Sequence, residues 1–219
     1  MRILLGKKAS DAPAGWRQQI EAGERPVVLD LGAGDGRYVY ECARGDAGSM
    51  YVAVDPDPET LADYAYRASR KPARGGVDNV AFVVAAVEAL PPDLEGLATR
   101  VRVNFPWGSL LRGLLEPQTQ VIHAIAALVR PGAEIEIVMS YHPQHDTNAF
   151  AGSPLPPLDD RYLRETLLPA LKSMRVEVMD YRRMTQDEAL AIPSTWGRRL
   201  LHARPRDVYF ITLVPAQAR

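Results

Sequence analysis

The stretch V-L-D-L-G-A-G-D-G, residues 28–36, constrains this chain more than any other. An aliphatic run stops abruptly at glycines spaced by single residues. Residues 27–31 therefore read as a short buried strand, and Gly32 and Gly34 as points where the backbone turns tightly and admits a ligand closely. A helix follows over residues 36–44. A dinucleotide-binding turn would carry its third glycine at position 37, where this chain has Arg37. The acidic Asp30, two residues before the first glycine, would repel a pyrophosphate and favour a cation.

The same strand–turn–helix rhythm recurs along the chain. Further strands are expected at 51–55, 80–85, 100–105, 134–139, 176–179 and 207–214, with helices at 58–71, 117–129 and 158–171. Such alternation implies a mostly parallel sheet covered by helices on both faces, and the final strand can lie antiparallel. The opening R-I-L-L-G-K-K reads as a small hairpin packed on the sheet. The expected organisation is one α/β domain over residues 1–219. Two irregular insertions, 141–157 and 185–206, are placed where specificity usually sits on a rigid scaffold.

Three strand ends in succession carry groups suited to S-adenosylmethionine (SAM) rather than to a nicotinamide. Asp30 favours the positive amino-acid end of such a ligand. Asp55, followed by Pro56, closes the second strand, where a carboxylate can accept from both ribose hydroxyls. A-A-V-E (85–88) follows the third, with Val87 against the adenine face and Glu88 placed to read its edge.

Composition narrows the partners. One cysteine, Cys42, excludes an internal disulfide, and four histidines show no metal-ligand spacing, so no metal is expected. The opening residues are too short in apolar length for a secretory signal, and no apolar run approaches a membrane span, so a cytoplasmic protein is expected. The net charge of -1 argues against a uniformly basic coat, yet R-A-S-R-K-P-A-R (67–74) and R-R-L-L-H-A-R-P-R (198–206) are each strongly positive. Taken alone, such runs serve as solvated helix faces. Their arginine content suits bidentate phosphate contacts.

The fourth strand ends in N-F-P-W-G-S (104–109). Enzymes that methylate nucleic-acid nitrogens often have Asn or Asp, two prolines and an aromatic here, and Phe105 replaces the first proline. A ring nitrogen such as adenine N1 has a free lone pair and needs no general base, only alignment with the methyl group. L-D-L-G-A-G-D-G-R, K-P-A-R-G-G, A-L-P-P, F-P-W-G-S-L-L and S-T-W-G-R-R-L together resemble the aminoglycoside-resistance methyltransferases of the kanamycin–apramycin type, over essentially the whole chain.

That resemblance implies a class I SAM-dependent methyltransferase with a seven-stranded, Rossmann-like sheet. It implies methylation of N1 of adenine 1408 in the 16S rRNA of the 30S subunit, and aminoglycoside resistance as the consequence. It matches Trp107 and Trp196 to two tryptophans that sandwich the flipped adenine. Asn104, Phe105, Pro106, Ser109, Ser194 and Thr195 fall beside the cofactor, as does Tyr38, where the family tends to a smaller polar residue. Arg67, Arg70, Lys71 and Arg74 are carried to one phosphate-gripping patch beside the pocket. Arg198, Arg199, Arg204 and Arg206 are carried to a second. Trp16, with no motif around it, is expected in the core. The rival readings are a methyltransferase for a small molecule and a non-catalytic RNA-binding protein that holds SAM. A monomer is expected.

Overall fold

The computed structural model describes residues 1–146 and 153–216. The chain opens with the hairpin β1 (Arg2–Leu5) and β2 (Lys8–Asp11), then α1 (Trp16–Ala22). The alternating part follows as β3 (Val27–Leu31), α2 (Arg37–Gly45), β4 (Met50–Asp55), α3 (Pro58–Ala68), β5 (Val80–Val84) and β6 (Ala98–Asn104). Two helices, α4 (Gly108–Leu115) and α5 (Thr119–Ala127), lead to β7 (Val129–Met139). A helical stretch starts as α6 (Asp160–Tyr162) and passes through a π turn at Leu163–Leu167 into α7 (Leu168–Ser173). Strand β8 (Val176–Arg183), helices α8 (Gln186–Ala191) and α9 (Thr195–Ala203), and strand β9 (Tyr209–Pro215) complete it.

All nine strands form one sheet in the order β2-β1-β5-β4-β3-β6-β7-β9-β8. The central run from β5 to β7 is parallel. The last strand lies antiparallel, as expected, between β7 and β8. The N-terminal hairpin adds two strands to the expected seven. It pairs edge-on with β5, Ile3 opposite Val83, and so extends the sheet instead of packing on its face. The sheet interior is aliphatic: Leu29, Val52, Val54, Val101 and Val103 are fully buried. Trp16 is buried among them, as its lack of a motif suggested. Among the described residues no helix is long and apolar enough to cross a membrane.

Two sequence expectations are corrected. The helix expected at 117–129 is α5 alone; Pro117 lies between α4 and α5, and the earlier turn of helix begins directly after Trp107. The stretch 185–206, expected as irregular, folds as α8 and α9. Thr185 and Glu188 form a reciprocal capping box at the start of α8, and the Ser194 side chain accepts from Gly197 N at the start of α9. Of the other insertion, residues 147–152 lie outside the described residues.

The strand order reverses at β3. The chain moves one way through β4 and β5, then returns on the other side of β3 as β6 and β7. Such a switch point opens a crevice at the carboxyl ends of the two diverging strands. It brings the glycine turn after β3 beside N-F-P-W after β6.

Candidate active site

A cavity of about 430 Å³ occupies this crevice, within the range of small-molecule sites. Gly32 and Gly34 form one wall. Gly34 has φ 58°, and the position of a Cβ there has no atom within 4 Å, so the missing side chain leaves open space on the cavity side. Its N–H donates to Asp55 Oδ2 at 2.9 Å, which ties the ends of β3 and β4 together. Asp55 Oδ1 accepts from Asp57 N at 3.0 Å. Burial raises the Asp55 pKa against these hydrogen bonds. Pro56, Val87 and Glu88 continue the wall along the next strand ends. Val87 is buried and Glu88 exposed.

Beneath the turn lies a chain of polar side chains. Asp30 is 1% exposed, and burial raises its pKa to about 7, against the lowering effect of the Asn104 hydrogen bond. Asn104 Nδ2 donates to Asp30 Oδ1 at 2.9 Å, while Asn104 Oδ1 accepts from Arg102 Nη2 at 3.3 Å. Arg102 in turn pairs with Glu136 of β7. Both ends of the Asn104 amide are therefore engaged. Register places Arg102 directly opposite Asp30 on adjacent parallel strands, so the alternation of β6 sends Arg102 and Asn104 to the same face. Tyr38 lines the cavity with the Arg102 guanidinium 5.7 Å from its ring centre, and burial raises its hydroxyl pKa.

The opposite wall comes from the region after β6 and from α9. Phe105 is buried with φ 51°, a left-handed conformation rare for a bulky residue, and it bends the chain out of β6. Pro106 is buried behind this bend and is not part of the cavity wall; Asn104, Phe105, Trp107 and Ser109 are. Helix α9 lies directly on Phe105: a Cβ at Gly197 would come within 2.4 Å of the ring. Thr195 Oγ1 donates to Asp35 Oδ2 at 2.6 Å, joining the start of α9 to the glycine turn across the cavity. Ser194, Thr195, Trp196 and Arg199 line this side.

Trp107 and Trp196 thus meet at the cavity from elements almost ninety residues apart. Their ring centres are 5.0 Å apart and their planes cross at 66°, an edge contact. The face-to-face sandwich expected from the resemblance is not this arrangement. A base between parallel rings needs about 7 Å, two van der Waals spacings. The Trp196 Nε1–H is buried and has no hydrogen-bond partner among the described residues.

The basic runs divide. Arg67, in the last turn of α3, and Arg70, Lys71 and Arg74, beyond it, are exposed, and the first turn of the same helix carries the cavity residue Thr60. Arg67 lies over the Tyr64 ring at 4.7 Å, on the same helix as Thr60, and none of the four basic residues lines the cavity. Arg198 and Arg199 are exposed, and Arg199 stands at the cavity itself. Arg204 contacts the His145 ring at 3.0 Å. Arg206 does not face solvent: its side chain, 6% exposed, makes a two-pronged ion pair with Asp146 at 2.7 and 2.8 Å. It joins the two insertions in place of offering a free charge. Asp35, Thr60 and Leu110 line the cavity without having been singled out in the sequence.

Against known proteins, residues 2–214 match the family model described as NpmA, 16S rRNA (adenine(1408)-N(1))-methyltransferase. This chain belongs to that family. A 16S rRNA (adenine(1408)-N(1))-methyltransferase of Escherichia coli is 31% identical, with 97% of each chain covered. A W203A mutant of the Catenulisporales acidiphilia enzyme, solved with cosubstrate SAM, superposes with TM-score 0.87 at 29% identity, over 100% of this chain and 98% of that one. The antibiotic-resistance methyltransferase Kmr superposes with TM-score 0.79 at 34% identity over the full length of both. Family membership makes SAM the cofactor, and the residues here fit it: an open glycine cradle, a carboxylate at the end of β4, and a buried acid able to meet an ammonium group.

Proposed function

We propose that this protein methylates N1 of the decoding-site adenine, position 1408, of 16S rRNA within the 30S subunit, and so confers aminoglycoside resistance. The observation that carries this reading is the convergence of Trp107 and Trp196 on the cavity that holds the glycine turn. SAM, when bound, supplies an electrophilic methyl carbon on sulfur. Attack by N1 forms the carbon–nitrogen bond as the carbon–sulfur bond breaks, and the positive charge passes to the base. No proton is released, so no general base is required of the chain.

The protein's own contribution is positional. The indoles of Trp107 and Trp196 swing apart from their edge contact to take the base between them. Stacking returns about 1–3 kcal/mol per face, which offsets the few kcal/mol needed to extrude a base. Asp30 meets the amino-acid end of the cofactor and Asp55 its ribose hydroxyls, Val87 and Glu88 its adenine, and Ser194 and Thr195 order α9 over it. Arg198, Arg199 and Arg204, with Arg67, Arg70, Lys71 and Arg74, meet phosphates, and Arg206 fixes the loop that carries them. The protein acts as a cytoplasmic monomer. A fixed charge on the methylated base repels cationic drugs and removes an acceptor they use.

The test is labelled SAM offered with intact 30S subunits, with naked 16S rRNA and with a metabolite mixture, followed by mapping of the labelled base. Label at N1 of adenine 1408 in subunits is the expected result. Label confined to metabolites would assign a small-molecule substrate, and tight subunit binding without label would make the protein a binder only.

A further inference from the structure

A second cavity, of about 790 Å³, opens between the β1–β2 hairpin and the far half of α3. Buried Leu4 and Phe82 lie at its base, and Leu5, Lys7, Lys8 and Tyr66 line it from exposed positions. Leu5 is 61% exposed and Tyr66 48%; the other large hydrophobic side chain exposed among the described residues is Met179. Two such side chains sharing one groove are more informative than either alone.

The charge around this groove has one dominant sign. Lys7 Nζ sits 5.5 Å from the centre of the Tyr66 ring and 3.3 Å from Asp63 Oδ1. Both members of that pair are more than half exposed, so the pair is weakly held and open to exchange. The exposed run Arg67, Arg70, Lys71 and Arg74 begins in the last turn of α3 and continues past it, at the same end of the helix as the groove, although none of the four lines it. An exposed aromatic ring with an exchangeable cation over one face suits a nucleic-acid strand: the ring stacks on any base as Lys7 turns to the adjoining phosphate. An apolar protein partner would leave those charges uncompensated.

We infer that the groove between the β1–β2 hairpin and α3 is a second contact surface for ribosomal RNA. An unpaired nucleotide stacks on Tyr66 against Leu5, and Lys7 and Lys8 take the adjoining phosphates. This rests on the ribosomal reading above and extends it to a site far from the methyl-transfer cavity, at the opposite end of α3.

The experiment measures binding of purified 30S subunits by wild-type protein and by Tyr66→Ala, Tyr66→Phe and a Lys7→Ala, Lys8→Ala double variant. SAM affinity and thermal melting serve as controls. Tyr66→Ala is expected to weaken subunit binding about 10-fold and Tyr66→Phe to leave it unchanged, because the stacking ring is kept. The double lysine variant should reduce the slope of log affinity against log salt by about 1.5, two phosphate contacts' worth. SAM affinity should not move. Wild-type affinity in Tyr66→Ala, or an unchanged slope in the lysine variant, would overturn the inference. So would a protein dimer that Tyr66→Ala dissolves, which would assign the groove to a second copy. If wild-type protein neither binds nor methylates the subunit, the larger reading fails; if it does both and the variants match it, only the groove proposal fails.

Discussion

The two walls of the methyl-transfer cavity are built by different rules. The wall along β3, β4 and β5 is a row of strand ends, each fixed by the ladder below it, and its cross-link is the short bond from Gly34 N to Asp55. The wall facing it is assembled from distant pieces: a strained Phe105, a helix seated on it at Gly197, and one hydroxyl reaching from Thr195 to Asp35. The first wall needs no motion to receive a cofactor. The second carries the indoles that, in the function proposed above, part to admit a base. On that proposal a ladder-fixed cofactor side and a side assembled from distant pieces divide the two tasks of one cavity.

The sharpest way to break this contrast is to truncate the indoles. Trp107→Ala or Trp196→Ala is expected to lower turnover on 30S subunits by about 1,000-fold, through lost stacking and lost alignment. SAM affinity, by calorimetry, should stay within about threefold. Equal losses in both measurements would show that the walls are not separable.

The cofactor wall has its own signature in pH. Asp30 has its pKa raised to about 7 by burial, from 3.8. Below pH 4 the acid is protonated in folded and unfolded chains alike. Between pH 4 and 7 the unfolded chain gives up this proton while the folded one keeps it, so the ligand-free protein loses stability as pH rises, by up to a few kcal/mol. Asp30→Asn should remove that slope in melting experiments. Its SAM affinity should be weaker, and the strengthening expected of the wild type between pH 6 and 8, as the carboxylate ionises, should be absent.

Gly197→Ala probes the joint. The added methyl meets the Phe105 ring at 2.4 Å, and overpacking of this kind costs about 1–3 kcal/mol. Turnover should fall about 10-fold, with SAM binding nearly intact; loss of SAM binding instead would mean that Phe105 carries strain through to Asn104. The mildest probe is Thr195→Val, which keeps the shape and removes the bond to Asp35. A net hydrogen bond of about 1 kcal/mol predicts a fivefold change in subunit methylation at saturating SAM.

The cofactor wall was legible in the sequence because its chemistry is local. Glycines, an acid before them and an acid at the next strand end follow from backbone rules within a few residues. The substrate wall was legible only in part. Thr185 and Glu188 have the spacing of a capping box, but the stretch 185–206 falls outside the strand–helix alternation and was expected as an irregular insertion. Gly197 carries no local reason to be glycine; its reason is Phe105, more than ninety residues earlier. Arg206 resembles its exposed neighbours in sequence, and only the fold brings Asp146 to it.

One consequence follows from the amide of Asn104. Its oxygen accepts from Arg102 and its nitrogen donates to Asp30, which fixes the orientation of the amide and leaves its oxygen one further lone pair. Turning that amide over would place its nitrogen against a guanidinium and its oxygen against a carboxylate, so the orientation is locked by Arg102, Glu136 and Asp30 together.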